Sequence, residues 1–181
     1  MQRWSEFPAL WYGGSCGDRK LFGLMFTSSP NNHVKMATRV NYDQIAATYD
    51  SRFAFGLYDG VLKTLRALVI EKRPKAVLEV GCGTGYWLAA LRPEAPRIFG
   101  LDYSSEMLRT AHDRQRMDKL VRATAESLPF RRSTFHLIFC VNAIHHFDQI
   151  DEFITEARRL LRPGGILAVI GMDPHHALVR L

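Results

Sequence analysis

The chain has 181 residues, 47% hydrophobic and 23% charged, with a net charge of +6 from 24 Lys+Arg against 18 Asp+Glu. That is room for one domain, and the balance excludes a wholly disordered chain, a collagen-like repeat and a disulfide scaffold. No apolar run approaches the roughly 18–20 residues that cross a bilayer, so no membrane span is expected.

Residues 1–35 carry Trp4, Trp11, Pro8, Gly13, Gly14 and Gly17 without a sustained period of either strand or helix. They close on Ser28-Ser29-Pro30-Asn31-Asn32, a loop signal. They read as an N-terminal extension with little regular structure, and the domain is expected over 36–181; Met36 is as good a start as Met1. Tyr42 to Phe53 reads as a short helix and a turn. Tyr58 to Lys72 places Val61, Leu62, Leu65, Leu68 and Val69 on one helical face, and Pro74 follows its end. Ala76 to Val80 is a short apolar run ending at glycine, hence a buried strand. A helical segment over Tyr86 to Leu91 stops before Pro93, and Arg97 to Leu101 is the next strand. Ser104 can cap a helix carrying Met107, Leu108 and Ala111. Leu120 to Ala123 is a weak third strand and Phe135 to Val141 a strongly apolar fourth. Ile150, Phe153, Ile154, Ala157, Leu160 and Leu161 mark a helix with Asp148 as its candidate cap; Arg162-Pro163-Gly164-Gly165 ends it, and Ile166 to Ile170 is a fifth strand. Alternation of this kind predicts an α/β fold, Rossmann-like, with a mainly parallel sheet covered by helices on both faces.

The basic residues Arg114, Arg116, Lys119, Arg122, Arg131 and Arg132 are scattered, and residues 1–35 hold only four basic against two acidic residues. A nucleic-acid footprint needs a denser stripe with interleaved aromatics, so nucleic acid is not expected as a partner. The three cysteines, Cys16, Cys82 and Cys140, are odd in number and widely spaced. They form neither a disulfide framework nor a zinc motif, and no metal site is expected. A reducing, cytoplasmic setting fits. The opening Met1-Gln2-Arg3-Trp4-Ser5-Glu6 lacks the pattern of a signal peptide.

The first strand runs into Gly81-Cys82-Gly83-Thr84-Gly85 and then a helix. Glycines let a backbone approach a ligand, and a helix N-terminus offers free N–H groups. The dinucleotide fingerprint requires glycine where this chain has Tyr86, which opposes a nicotinamide dehydrogenase. Asp102 ends the second strand, and in a parallel sheet it neighbours the glycine loop at the carboxyl edge, where ligands bind. There its carboxylate can accept from both hydroxyls of a ribose; capping the next helix is the competing structural role.

In four blocks the chain resembles a class I S-adenosylmethionine-dependent methyltransferase, of the broad group that includes the ubiquinone/menaquinone-biosynthesis-type enzymes. The blocks are Val77-Leu78-Glu79-Val80-Gly81-Cys82-Gly83-Thr84-Gly85, Gly100-Leu101-Asp102-Tyr103-Ser104, Ala125-Glu126-Ser127-Leu128-Pro129-Phe130 and Leu161-Arg162-Pro163-Gly164-Gly165. The resemblance covers roughly residues 42–174 and implies the cofactor S-adenosylmethionine. It implies that Glu79 and the carbonyls of the loop, Gly81, Cys82, Gly83 and Gly85 among them, receive the methionine ammonium. It further implies that Asp102 binds the ribose, Tyr103 flanks the adenine, and Ala125 and Glu126 meet the adenine edge through the Ala125 amide. Thr124 stands where many relatives carry aspartate. Asn142 would line the site beneath the sulfonium, and Tyr49 would belong to an N-terminal lid that closes over the cofactor.

Methyl transfer from a sulfonium is an in-line displacement whose main demands are alignment and exclusion of water. A proton must leave only when the acceptor is a hydroxyl, an amine or an acidic carbon. His145 and His146 follow the fourth strand; His146 is the candidate general base, with a backbone-bonding loop histidine as the alternative. The sequence Asn142-Ala143-Ile144-His145 lacks the Asn/Asp-Pro-Pro-Tyr of enzymes that methylate amino groups of DNA or protein glutamine, so a small-molecule acceptor is expected. The family sheet has seven strands, and the chain stops at Leu181, about ten residues after the fifth. Five strands are therefore expected with the final antiparallel pair missing, leaving Ile166 to Ile170 as an apolar edge. A non-catalytic cofactor- or partner-binding domain is the alternative that this shortness keeps open.

Overall fold

The computed structural model describes residues 40–54, 58–173 and 176–180. The extension expected over 1–35 lies outside the described residues. The segment expected as one short helix and a turn divides in two: α1 (Tyr42–Ile45) and a 3-10 helix over Tyr49–Phe53. Then follow α2 (Asp59–Lys72), β1 (Val77–Val80), α3 (Tyr86–Leu91), β2 (Ile98–Asp102), α4 (Ser105–Asp113), β3 (Leu120–Arg122) and β4 (Phe135–Val141). A 3-10 turn over Ile144–His146 leads to α5 (Ile150–Leu160), β5 (Leu161–Asp173) and β6 (His176–Arg180).

The sheet order is β3-β2-β1-β4-β5-β6. β1 lies parallel between β2 and β4, with Val77 opposite both Ile98 and Leu137. β3 extends the sheet parallel to β2, and β5 parallel to β4. Five parallel strands and helices between them are the expected architecture. Strand alternation splits the apolar side chains onto two faces. Val61, Leu65 and Val69 of α2 and Leu88 and Leu91 of α3 pack with Val77, Ile98, Leu137 and Phe139 on one face. Phe153, Ala157 and Leu160 of α5 pack with Leu78, Phe135, Ile138 and Cys140 on the other. Leu65, Leu78, Phe135 and Phe153 are fully buried, and each such side chain contributes about 2–3 kcal/mol. α2 ends where Arg73 turns left-handed, its amide donating to Val69 O at 2.9 Å, with Pro74 next.

β5 is longer than expected. Phe135 pairs with Leu161 but Leu137 with Ile166, so Arg162-Pro163-Gly164-Gly165 loops out of the ladder, with Gly164 at φ +76°. The sheet also runs one strand beyond the expected five. β6 pairs antiparallel with β5 over Gly171 to Asp173. An antiparallel neighbour needs only a two-residue connection, so the few residues after Asp173 suffice. The β6 register begins at Gly171, which leaves Ile166–Ile170 outside it.

Candidate functional site

Strand order reverses between β1 and β4, and the crevice beyond their carboxyl ends is where open α/β sheets bind ligands. The glycine loop rises there. Gly81, Gly83 and Gly85 have φ of +74°, +52° and +74°. A Cβ on Gly81 would stand 2.5 Å from that of Ala143, so the loop after β4 presses directly on the glycine loop. The loop is not a cradle of free amides. Gly81 and Cys82 donate to Leu101 O at 2.8 and 3.0 Å, Gly85 to Cys82 O at 3.0 Å, and Gly83 to Asp102 Oδ2 at 2.7 Å. A pyrophosphate would find these four donors already engaged.

Asp102 serves both of its candidate roles in part. Its Oδ1 accepts from Ser104 N at 2.9 Å while Oδ2 holds Gly83. The Tyr103 amide is a third donor to it, and a carboxylate has about four lone-pair sites, so about one remains. Burial raises its pKa against these hydrogen bonds. Ser104 is the expected cap of α4, its Oγ accepting from Met107 N at 3.1 Å. Glu79 sits on β1, 1% exposed, and its Oε2 has no hydrogen-bond partner. Burial, and then the charge of Asp102, push its pKa well above the carboxylate range. Cys82 and Cys140 are buried free thiols pushed up by burial.

Glu79, Gly81, Cys82, Gly83, Asn142 and Tyr49 line one cleft. Asn142 follows β4 in the left-handed region, at φ +51°. The space between these walls is about 20 Å³, room for a single water. Three lid contacts close it. Asp43 Oδ1 accepts from Ser104 Oγ at 2.6 Å and from Glu106 N at 3.2 Å. Asp50 takes the Thr84 hydroxyl at 2.5 Å and the guanidinium groups of Arg114 and Arg116. Tyr42 Oη lies 2.5 Å from His146 Nε2.

The remaining expected residues are more dispersed. Gly85 stands at the start of α3 against Ala111 and Arg116, away from the cleft lining. Tyr103 is 60% exposed beside Arg122. Ala125 is buried and packs with Leu101 and Leu128, and its amide has no protein acceptor among the described residues. Glu126 turns elsewhere. Its Oε1 accepts from the amides of Asp148 and Gln149 at 2.9 and 3.4 Å, at the start of α5. This corrects the expected cap: Asp148 does not cap α5, whose cap position is Gln149 with no side-chain bond, and the Glu126 carboxylate is held by the backbone there. The reason is local, because the first amides of a helix lack intrahelical partners and a nearby carboxylate answers them. Those hydrogen bonds outweigh burial and lower the Glu126 pKa. Among the described residues no His/Cys/Asp/Glu group could hold a metal ion, and no helix is long and apolar enough to cross a membrane.

Sequence reading missed Arg52. It lines the same cleft as Glu79, its guanidinium 4.5 Å from the Tyr49 ring centroid and hydrogen-bonded to the hydroxyls of Tyr49 and Tyr58. No carboxylate pairs with it among the described residues. The one available signal was its place on the lid, three residues after Tyr49.

A family described as a methyltransferase domain matches residues 78–169, just over half of the chain. A demethylmenaquinone methyltransferase of Thermotoga maritima is 31% identical over 138 residues, covering 74% of this chain and 60% of that protein. A malonyl-[acyl-carrier protein] O-methyltransferase of Enterobacter lignolyticus is 34% identical over 108 residues, covering 58% of this chain and 41% of that protein. The chain thus spans about half the length of the curated relatives it matches. Among solved structures, a SAM-dependent methyltransferase of Thermotoga maritima superimposes with a TM-score of 0.61 at 26% identity, covering 73% of this chain and 60% of that one. Family match, sheet order and glycine loop agree, and the chain belongs to the methyltransferase domain family.

Proposed function

We propose that this chain is the cofactor-binding core of an S-adenosylmethionine-dependent methyltransferase acting on a small-molecule acceptor. The observation that carries the reading is the pairing of Glu79 and Arg52 in one cleft. A buried carboxylate with an unpartnered oxygen and a guanidinium with, among the described residues, hydroxyl partners and no carboxylate are together complementary to an ammonium and a carboxylate on one ligand. That is the amino-acid end of S-adenosylmethionine. Asp102 on the neighbouring strand keeps a lone pair for a ribose hydroxyl, and the Ala125 amide serves the adenine edge. The bound cofactor supplies a methyl group already activated by its positive sulfur. The chain's residues hold it, align it and keep water out, with Tyr49 and Arg52 as the inner face of the lid.

A cleft of this size admits such a ligand only when the lid moves, so binding is coupled to opening and reclosure of residues 42–53. The two named relatives act, by their names, on a demethylmenaquinone and on a malonyl-[acyl-carrier protein]; both names support transfer to a small organic group and neither fixes the acceptor here. A cytoplasmic setting accords with free buried Cys82 and Cys140. The test is calorimetry with S-adenosylmethionine, S-adenosylhomocysteine and NAD. Binding of the first two and not the third is expected; heat with NAD alone would overturn the reading.

A further inference from the structure

Two side chains 104 positions apart in sequence meet at the mouth of the site. Tyr42 comes from the lid, and His146 from the 3-10 turn after β4. The Tyr42 hydroxyl stands 2.5 Å from His146 Nε2, and the rings meet edge-on with centroids 5.1 Å apart. Each partner is seated against the cleft. Tyr42 packs edge-on against Tyr49, which lines it, and His146 follows Ala143, which abuts Gly81. Tyr42 also borders a second, more open cavity of about 330 Å³ that shares Tyr49 and Arg52 with the first. All seven residues that line this outer cavity, Val40 to Arg52, belong to the lid segment, so it lies on the lid and Tyr42 and Tyr49 separate it from the inner cleft.

The direction of the hydrogen bond follows from the environment. Burial and the neighbouring Tyr49 push the Tyr42 pKa up to about 12. At neutral pH the hydroxyl therefore keeps its proton and donates it to Nε2, which leaves the imidazole proton on Nδ1. The phenolic oxygen retains lone pairs for a second donor.

We infer that Tyr42 and His146 form a proton relay for the methyl acceptor, which makes that acceptor a protic nucleophile able to hydrogen-bond to Tyr42 Oη, a hydroxyl or an amine rather than an acidic carbon. This rests on the methyltransferase reading above. The acceptor O–H or N–H donates to Tyr42 Oη. As the acceptor atom bonds to the methyl carbon, its proton passes to Tyr42 and the Tyr42 proton passes to His146 Nε2. The C–S bond breaks with its electron pair kept by sulfur, so the positive charge lost at sulfur reappears on the imidazolium, which returns its proton to water. Because Tyr42 rides on the lid, the relay is complete only when the lid is shut. Proton removal is thereby tied to the closed, water-excluding state.

The test uses the full chain, with histidine labelled in its ring nitrogens and the site loaded with S-adenosylhomocysteine. In the unsubstituted protein the His146 signals, assigned by their loss in His146→Gln, should report a single tautomer with Nε2 as a hydrogen-bond acceptor. In Tyr42→Phe, which keeps the ring that packs on Tyr49, they should become the average of two tautomers. S-adenosylhomocysteine affinity should stay within about threefold in both variants. A companion assay follows labelled methyl transfer onto a deproteinised small-molecule extract, with the product's methyl position read by mass spectrometry. An O- or N-methyl product is expected, with Tyr42→Phe lowering kcat by about 100-fold or more and leaving the KM for S-adenosylmethionine little changed. Unchanged His146 signals in Tyr42→Phe overturn the relay. So does a Tyr42→Phe enzyme at the original rate. A methyl placed on carbon, sulfur or carboxylate, or no product from a protein that binds S-adenosylhomocysteine, overturns the acceptor class. Failure to bind S-adenosylhomocysteine overturns the methyltransferase reading itself, and is separable from the others.

Discussion

The lid and the sheet of this protein are held by different physics. The sheet is fastened by apolar area: Leu65, Leu78, Phe135 and Phe153 are fully buried between strands and helices on its two faces. Across the 40–54 segment the only fully buried hydrophobic residue is Ala46; Phe53 at its end stacks on Tyr86, and the rest is fastened at three polar points, through Asp43, Asp50 and Tyr42. Apolar packing is non-directional and is lost only with the fold. A few hydrogen bonds and ion pairs, each worth about 1 kcal/mol net, can be broken and remade while the core stays intact. The difference allows one domain to be rigid where it positions Glu79 and Asp102 and movable where a ligand must pass.

Substitution in the sheet should have the largest effect on stability. Phe153→Ala should cost about 3–5 kcal/mol in chemical denaturation, because it empties the centre of the α5 face. A cost below about 1 kcal/mol would mean that this face is not the core described here. At the boundary of the two regions, Asp102→Ala removes the acceptor of Gly83 and Ser104 as well as the proposed ribose ligand. S-adenosylhomocysteine binding should weaken by 10-fold to 100-fold, about 1.4–2.8 kcal/mol, by calorimetry. Unchanged affinity would remove Asp102 from the site.

Glu79→Gln separates stability from binding. The folded-state pKa of Glu79 is raised, so its ionised form is disfavoured in the fold. The resulting penalty is absent below the unfolded-state value, about 4.3, and grows as pH rises toward the folded value. The variant should therefore gain about 1–3 kcal/mol over the parent at the alkaline end of that window and little at its acid end, read from melting curves across pH. It should at the same time bind S-adenosylhomocysteine more weakly. A variant destabilised at every pH would contradict the unpartnered, buried carboxylate. The smallest effect belongs to the lid. Asp50→Asn frees Arg114, Arg116 and Thr84 at a global cost of about 1 kcal/mol or less. Trypsin cleavage after Arg52 should nevertheless accelerate several-fold. If the melting temperature falls as far as in Phe153→Ala, the lid is part of the cooperative core and the comparison fails.

Local pattern explains why much of the molecule was readable in advance. Strands over Val77–Val80, Ile98–Asp102 and Phe135–Val141 announced themselves as apolar runs between glycine and polar turns. Gly81, Gly83 and Asp102 follow from one rule, that parallel strand ends converge on a ligand at the switch point. The cap of α4 by Ser104 needed only its own neighbours. What failed was each feature that depends on a distant partner. Asp148 looks like the cap of α5 until the Glu126 carboxylate is seen to answer the amides there. The Arg162–Gly165 turn looks like a strand boundary until β4 is seen to pair on both sides of it.

The sequence by itself determined the order of helices and strands, the glycine loop, and the presence of Glu79 and Asp102 at adjoining strand ends, because periodicity and chirality leave a parallel sheet few alternatives. Only the tertiary structure decided which charges remain without partners. Arg52 reaches Glu79's cleft, Asp50 is neutralised by two arginines, and Tyr42 finds His146, through contacts of the chain with itself that no spacing encodes. A carboxylate or a cation is a structural fastener or a ligand site according to what lies within a few ångströms of it, and folding alone sets that distance.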